Sequence, residues 1–257
     1  MGLQQLNFEG KNKIEVAIMR LKEFEPSEEY FLAFSGGKDS VVIYDLAQKS
    51  GIKFKSFYNW TGIDPPELLK FAKENYPEVE IRYPKKSMWK LINEHCILPT
   101  RKARFCCEDL KERDNNNKSG RMITGIRWAE SVARHRRKMV EVCTTNKLLV
   151  FLHPIIDWTD KEVWEYIKGN SLPYCKLYDE GFKRLGCLLC PFVRGRGLKM
   201  QMERYPKYVA MWKRACGRLF DKGYKPEGCQ SADELFSWWL SRERYKREDD
   251  NCFARFI

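Results

Sequence analysis

Apolar and polar positions along the chain change period several times, and each change marks an element. Residues 14–24 place Ile14, Ala17, Ile18 and Leu21 at helical spacing, which predicts an amphipathic helix. Residues 30–34 are a short apolar run that ends at Ser-Gly-Gly. Apolar positions then resume with helical character over 41–47, a strand–tight turn–helix pattern. The alternation repeats with a strand over 53–59 and a helix over 66–75 opened by Pro66, then a strand over 79–83 and a helix over 87–94. A polar stretch at 114–120 cannot contribute core and reads as a loop, and strands follow at 121–125 and 148–152. Thr159-Asp160-Lys161-Glu162 has the capping-box pattern at a helix start, with Gly169 suited to its end. Ser231-Ala232-Asp233-Glu234 repeats the device before 235–245, and 208–220 is helical as well.

Strand and helix taking turns predict an α/β fold: a doubly wound, mostly parallel sheet of Rossmann-like type with helices on both faces. From about Pro191 the pattern becomes mainly helical, a C-terminal extension. The division expected is residues 1–190 as one domain and 191–257 as the extension. At 257 residues, 43% hydrophobic and 32% charged, the chain has the composition of a folded protein rather than a disordered one. No stretch reads as a signal peptide or as the roughly 18–20 apolar residues of a membrane span, so a cytoplasmic location is expected. Ten cysteines in a reducing compartment point to metal or redox chemistry before disulfides. The formal net charge of +12 suits a polyanionic partner such as nucleic acid, or a phosphorylated substrate.

Two groups of residues carry chemistry. Ser35-Gly36-Gly37-Lys38-Asp39-Ser40 lies between strand and helix, where glycines admit close backbone approach and a helix N-terminus supplies free amides. Lys38 can neutralise phosphate, Ser35 and Ser40 can donate to its oxygens, and Asp39 can help hold Mg2+. Cys106 and Cys107 are adjacent, and Cys187 and Cys190 form a CxxC pair. Four such thiols can serve an iron–sulfur cluster or zinc, or can remain free. Adjacent cysteines suit a cubane better than a tetrahedral ion, because its ligands are spread over four irons. Cys96, Cys143, Cys175, Cys216 and Cys229 have no ligand-spaced neighbour and are expected to be small buried residues.

The Ser-Gly-Gly-Lys-Asp-Ser segment resembles the PP loop of the adenine-nucleotide alpha-hydrolase superfamily, whose members cleave ATP between its alpha and beta phosphates. The cysteine spacing resembles the 4Fe-4S ligand set of the adenylylsulfate reductase branch of the phosphoadenosine phosphosulfate (PAPS) reductase family. Further matches to that family are Thr124-Gly125-Ile126-Arg127 with Arg134, the run from His153 to Thr159, the run from Leu172 to Gly181, and Gly186 to Pro191. The resemblance implies ATP or a related adenine nucleotide, Mg2+ and a 4Fe-4S cluster held by Cys106, Cys107, Cys187 and Cys190. It implies nucleotide contacts at Gly125 and Arg127, catalytic roles for Lys38, Asp39 and Arg127, and a substrate-anion role for Arg134. Thr61 and Gly62 lie where relatives carry Asp-Thr-Gly. Asn59 departs from that element, which argues against an acid role at its position.

The complete lysine-bearing loop favours ATP over activated sulfate. The expectation is therefore an ATP pyrophosphatase that activates an acceptor, nucleic acid among the candidates, for sulfur transfer, resembling DNA-phosphorothioation ATPases and, more distantly, cluster-bearing tRNA thiolases. A sulfur donor and partner subunits are implied. The alternatives are a sulfonucleotide reductase that makes sulfite, for which Cys252 is the candidate nucleophile, and a catalytically idle nucleic-acid-binding or assembly subunit.

Overall fold

The computed structural model describes residues 2–7, 10–112, 120–226 and 228–241. Its described elements run α1 (Lys13–Glu23), β1 (Tyr30–Ala33), α2 (Lys38–Ser50), β2 (Phe54–Asn59), α3 (Pro66–Asn75), β3 (Glu80–Arg82), α4 (Met88–His95), α5 (Phe105–Leu110), β4 (Gly120–Ile123), α6 (Val132–His135), β5 (Val140–Val142), β6 (Leu149–Leu152), α7 (Asp160–Gly169), α8 (Gly195–Arg204), α9 (Pro206–Asp221) and α10 (Ala232–Ser241). The expected polar loop lies outside the described residues at 114–119, as do the last residues of the expected final helix.

The chain divides into two compact units. The first is drawn from residues within 1–60, 64–83 and 113–186, the second from 61–63, 84–112 and 187–257. The second unit therefore takes in 84–112 and 187–190, segments the sequence assigned to the nucleotide domain. Aromatic packing is the physical reason: Trp89 of α4 meets Trp212 of α9 edge-on at 5.2 Å, and Trp212 stacks on Trp239 of α10 at 4.4 Å. The Trp239 indole N–H donates to the Pro99 carbonyl at 2.8 Å, which ties α10 to the loop before α5.

The first unit carries a six-stranded sheet in the order β3-β2-β1-β4-β6-β5. Pairings are parallel except for β5 with β6, which is antiparallel and was absent from the sequence reading. One sheet face buries Phe57, Met122, Cys143 and Leu149, with Phe31, Ala33 and Phe151 packed against them. Helix α2 is buried over most of its circumference, through Val41, Val42, Ile43, Leu46 and Ala47. That burial explains why its apolar positions form a near-continuous run rather than a stripe.

The strand order reverses between β1 and β4. From β1 the chain steps outward to β2 and β3, then returns to the other side of β1 for β4 and β6. In a doubly wound sheet, ligands bind in the crevice that this reversal opens at the carboxyl ends of the strands. The PP loop leaves the end of β1, and Thr124-Gly125-Ile126-Arg127 leaves the end of β4.

Candidate functional site

The PP loop is shaped by local chemistry. Gly36 has a φ of +70°, a backbone conformation that favours glycine, and a Cβ there would press on Leu68 Cδ1 at 2.8 Å. Ser40 Oγ donates to the Gly37 carbonyl at 2.8 Å, and Ser35 Oγ donates to Ser40 Oγ at 3.2 Å. The two serines thus brace the turn from inside. Gly37 precedes the first residue of α2 and gives it no side-chain cap. Instead the Lys38 amide donates to the Tyr178 hydroxyl at 2.9 Å. Burial pushes the Tyr178 phenol well above its ordinary pKa, which keeps it protonated and able to donate in turn. The sequence offered Tyr178 only as part of a matched segment.

Lys38 is almost fully buried, and its ammonium lies 3.4 Å from both Asp39 Oδ2 and Asp160 Oδ1. Arg127, 1% exposed, completes the group. Its Nε donates to Asp39 Oδ1 at 2.7 Å, Nη2 to Asp160 Oδ1 at 2.6 Å and Nη1 to the Trp158 carbonyl at 3.1 Å. Two cations and two carboxylates therefore balance. Burial alone would raise the Asp160 carboxyl, but Arg127 and Lys38 outweigh it and hold the group below its ordinary range. Asp160 was legible only as a first-turn acid after the Thr159 cap; its contact with the loop required the fold.

Gly125 owes its identity to the same approach. A Cβ there would lie 3.0 Å from Asp39 Cβ and 3.1 Å from the Asp39 carbonyl carbon, so the β4 loop can lie against the start of α2 only without a side chain. Arg134 pairs with Glu130 one turn away, and Glu130 also accepts from the Arg127 amide at 3.1 Å. Thr124 Oγ1 is 2.7 Å from His153 Nδ1, and His153 is fully buried.

The cysteines gather in the second unit. Cys106 and Cys107 lie in α5, whose Phe105 and Leu110 are buried. The CxxC segment is a turn in which Leu189 has a φ of +56°. The Leu189 amide donates to Oε1 of the buried Gln201 side chain at 2.8 Å, and the Leu188 amide donates to the Ile63 carbonyl at 2.8 Å. Thr61 is fully buried, and its Oγ1 accepts from Cys187 Sγ at 3.6 Å. Gly62 supplies the turn beside it with a φ of +79°.

The sulfurs interact. Cys106 is pushed far up by its hydrogen bond with Cys107, by burial, and by Cys187 and Cys190. Cys107 falls to about 6, through its bond with Cys106 and then the Arg104 guanidinium and Lys111, against the opposing effect of burial. One sulfur of the adjacent pair is thus held as a thiol while its neighbour is favoured as a thiolate beside Arg104 and Lys111. Among the described residues no three His, Cys, Asp or Glu side chains converge closely enough for a single ion. Of the remaining cysteines, Cys143, Cys175, Cys216 and Cys229 are buried as expected. Cys96 is exposed, because it ends α4 in a left-handed turn. Cys252 lies outside the described residues.

Comparison with known proteins identifies the fold and its lineage. The phosphoadenosine phosphosulfate reductase domain model matches residues 29–193. An uncharacterized Methanocaldococcus jannaschii protein is 31% identical over 208 residues, covering 77% of this chain and 43% of the relative. Adenosine 5'-phosphosulfate reductase of Oceanobacillus iheyensis is 30% identical over 62% of this chain and 69% of the relative. The chain spans less than half the length of two M. jannaschii relatives, 43% and 46%. Among solved structures, Candida glabrata FMN adenylyltransferase in complex with FMN and the ATP analogue AMPCPP aligns with a TM-score of 0.51 at 16% identity, covering 68% of this chain and 63% of that one. On the strength of the family model and these relatives, the chain belongs to the phosphoadenosine phosphosulfate reductase domain family.

Proposed function

We propose that the chain is an ATP pyrophosphatase of this family that activates an acceptor for sulfur transfer. The observation that carries the reading is the complete loop, with Lys38 buried at the head of α2 and held between Asp39 and Asp160. ATP would lie along the loop, its phosphates meeting the free amides of α2, the Ser35 hydroxyl and the Lys38 ammonium. An acceptor oxygen attacks the alpha phosphorus and the bond to the beta phosphate breaks. The adenylyl group stays on the acceptor, and pyrophosphate leaves with the bridging electron pair, its charge met by Lys38. Asp39 and Asp160 would hold Mg2+, which neutralises the departing phosphates when bound. Arg127 acts as a positioning residue: its guanidinium is spent on the two carboxylates and a carbonyl, fixing the acids that face the loop.

The four cysteines would hold a 4Fe-4S cluster, which supplies an iron–sulfur face able to bind a sulfur-bearing group. Arg104, hydrogen-bonded to Cys107, offsets the charge of that set. The experiment is pyrophosphate release from Mg-ATP by anaerobically purified protein. Release by the wild type and its loss in Lys38→Ala supports the reading, and equal rates refute it.

The curated relatives favour one second reading, since the Oceanobacillus relative is a reductase of adenosine 5'-phosphosulfate. Sulfite formation from that substrate, lost in Cys252→Ser, would replace the first reading with the second.

A further inference from the structure

The loop before α5 and the segment after the CxxC turn belong to the same unit, and both are strongly basic. Residues 95–107 contain no aspartate or glutamate, and neither do residues 187–202. Arg101, Lys102, Arg104, Arg194 and Arg196 are all exposed. In their midst Phe192, two residues beyond Cys190, stands 46% exposed. The Arg101 and Arg104 guanidinium carbons each lie 5.3 Å from its ring centroid. Helix α8 begins at Gly195 with no side-chain cap, so its first amides add to the positive end of the patch.

We propose that this surface binds single-stranded nucleic acid, with one base stacked on Phe192 and the flanking phosphates on the surrounding arginines. A small anion would be expected in a concave site, whereas these side chains stand out to solvent along two chain segments, as suits a polymer. An exposed aromatic ring among guanidiniums is what an unstacked base requires: every base has a π-face, and an exposed cation–π contact is weak enough for a base to take its place. A duplex hides its base faces and cannot use the ring. Because Arg104 also hydrogen-bonds Cys107, a strand on Phe192 lies beside the cysteine set. The inference names the acceptor class for the function proposed above and rests on that reading for its chemistry, but binding is measured without ATP, so either can fail alone.

The test is fluorescence anisotropy with the full chain and short fluorescein-labelled oligo(dT) and oligo(U), the two arms separating DNA from RNA. A second probe carrying 2-aminopurine reports stacking. Single strands of at least one kind should bind, and Phe192→Ala should weaken binding about tenfold and abolish the 2-aminopurine change. Arg101→Ala combined with Arg194→Ala should reduce the slope of log affinity against log salt by about 1.4, at about 0.7 for each lost phosphate contact. Melting temperature, iron content and pyrophosphate release measured without nucleic acid should stay at wild-type levels in these surface variants. Unchanged binding in both variants would overturn the proposal, and so would duplex DNA or polyglutamate binding as tightly as the single strand.

Discussion

Replacing Arg127 by alanine removes a guanidinium that is 1% exposed and makes three side-chain hydrogen bonds at 2.6–3.1 Å. A hydrogen bond to a charged group contributes about 1.5–3 kcal/mol and one to a carbonyl about 1. Asp160 is 67% exposed, so water screens its share to below about 1 kcal/mol. Asp39 is 23% exposed and keeps more of its contact, roughly 2 kcal/mol after partial screening. Allowing for water that replaces the lost donors, the loss is about 3 kcal/mol, within the range for breaking a buried ion pair. For a chain of this length that lowers the melting temperature by about 6–12 °C. Arg127→Lys keeps the charge but not the planar fork that serves two carboxylates at once, so it should recover no more than half. Thermal denaturation followed by circular dichroism, alongside titration with a non-hydrolysable ATP analogue, separates the roles. If Arg127→Ala melts within about 2 °C of wild type yet no longer binds the analogue, the guanidinium serves the ligand and the positioning argument is wrong.

Three further outcomes follow from the geometry. Gly125→Ala puts a methyl group 3.0 Å from Asp39 Cβ and should cost about 1–3 kcal/mol while weakening ATP-analogue binding, as denaturation and calorimetry would register. Burial, with Arg137 adding to it, lowers His153 from its ordinary 6.5 to about 4. The folded state thus binds fewer protons than the unfolded one between these values, so its contribution is full above pH 6.5 and is lost as pH falls toward 4, by about 3 kcal/mol. Urea denaturation across that window should be flatter in His153→Gln. Cys106→Ala and Cys187→Ala should lower the iron content and visible absorption of anaerobically purified protein, whereas Cys143→Ala, a buried cysteine in the sheet core, should retain both.

The PP loop was legible because its parts are contiguous: a short apolar strand, two glycines and a helix that begins at the lysine. The capping box at Thr159 was legible for the same reason, and its Oγ1 accepts from the Glu162 amide at 3.3 Å. At Ser231 the pattern is realised differently: Ser231 accepts from the Glu234 amide, but the Glu234 carboxylate takes the Gln230 amide. The sequence did not reveal α5, whose six residues are too few for a period, or β5, a three-residue edge strand. It placed α8 only within a mainly helical stretch from about Pro191, without bounds, because Gly195 and Gly197 depress helix propensity; Oε1 of Gln201 in that helix accepts from the Leu189 amide. Asp160 and Tyr178 escaped notice as loop partners for a related reason. Each lies more than a hundred residues from Lys38, and only the sheet order brings the end of β1 and the start of α7 together.

The bond that is broken in ATP decides the account. Phosphorus NMR of Mg-ATP incubated with the anaerobically purified chain should show resonances for pyrophosphate and AMP, water standing in for the acceptor, reduced by about a hundredfold or more in Lys38→Ala. The appearance of ADP and inorganic phosphate, or pyrophosphate formation indifferent to Lys38, would contradict it.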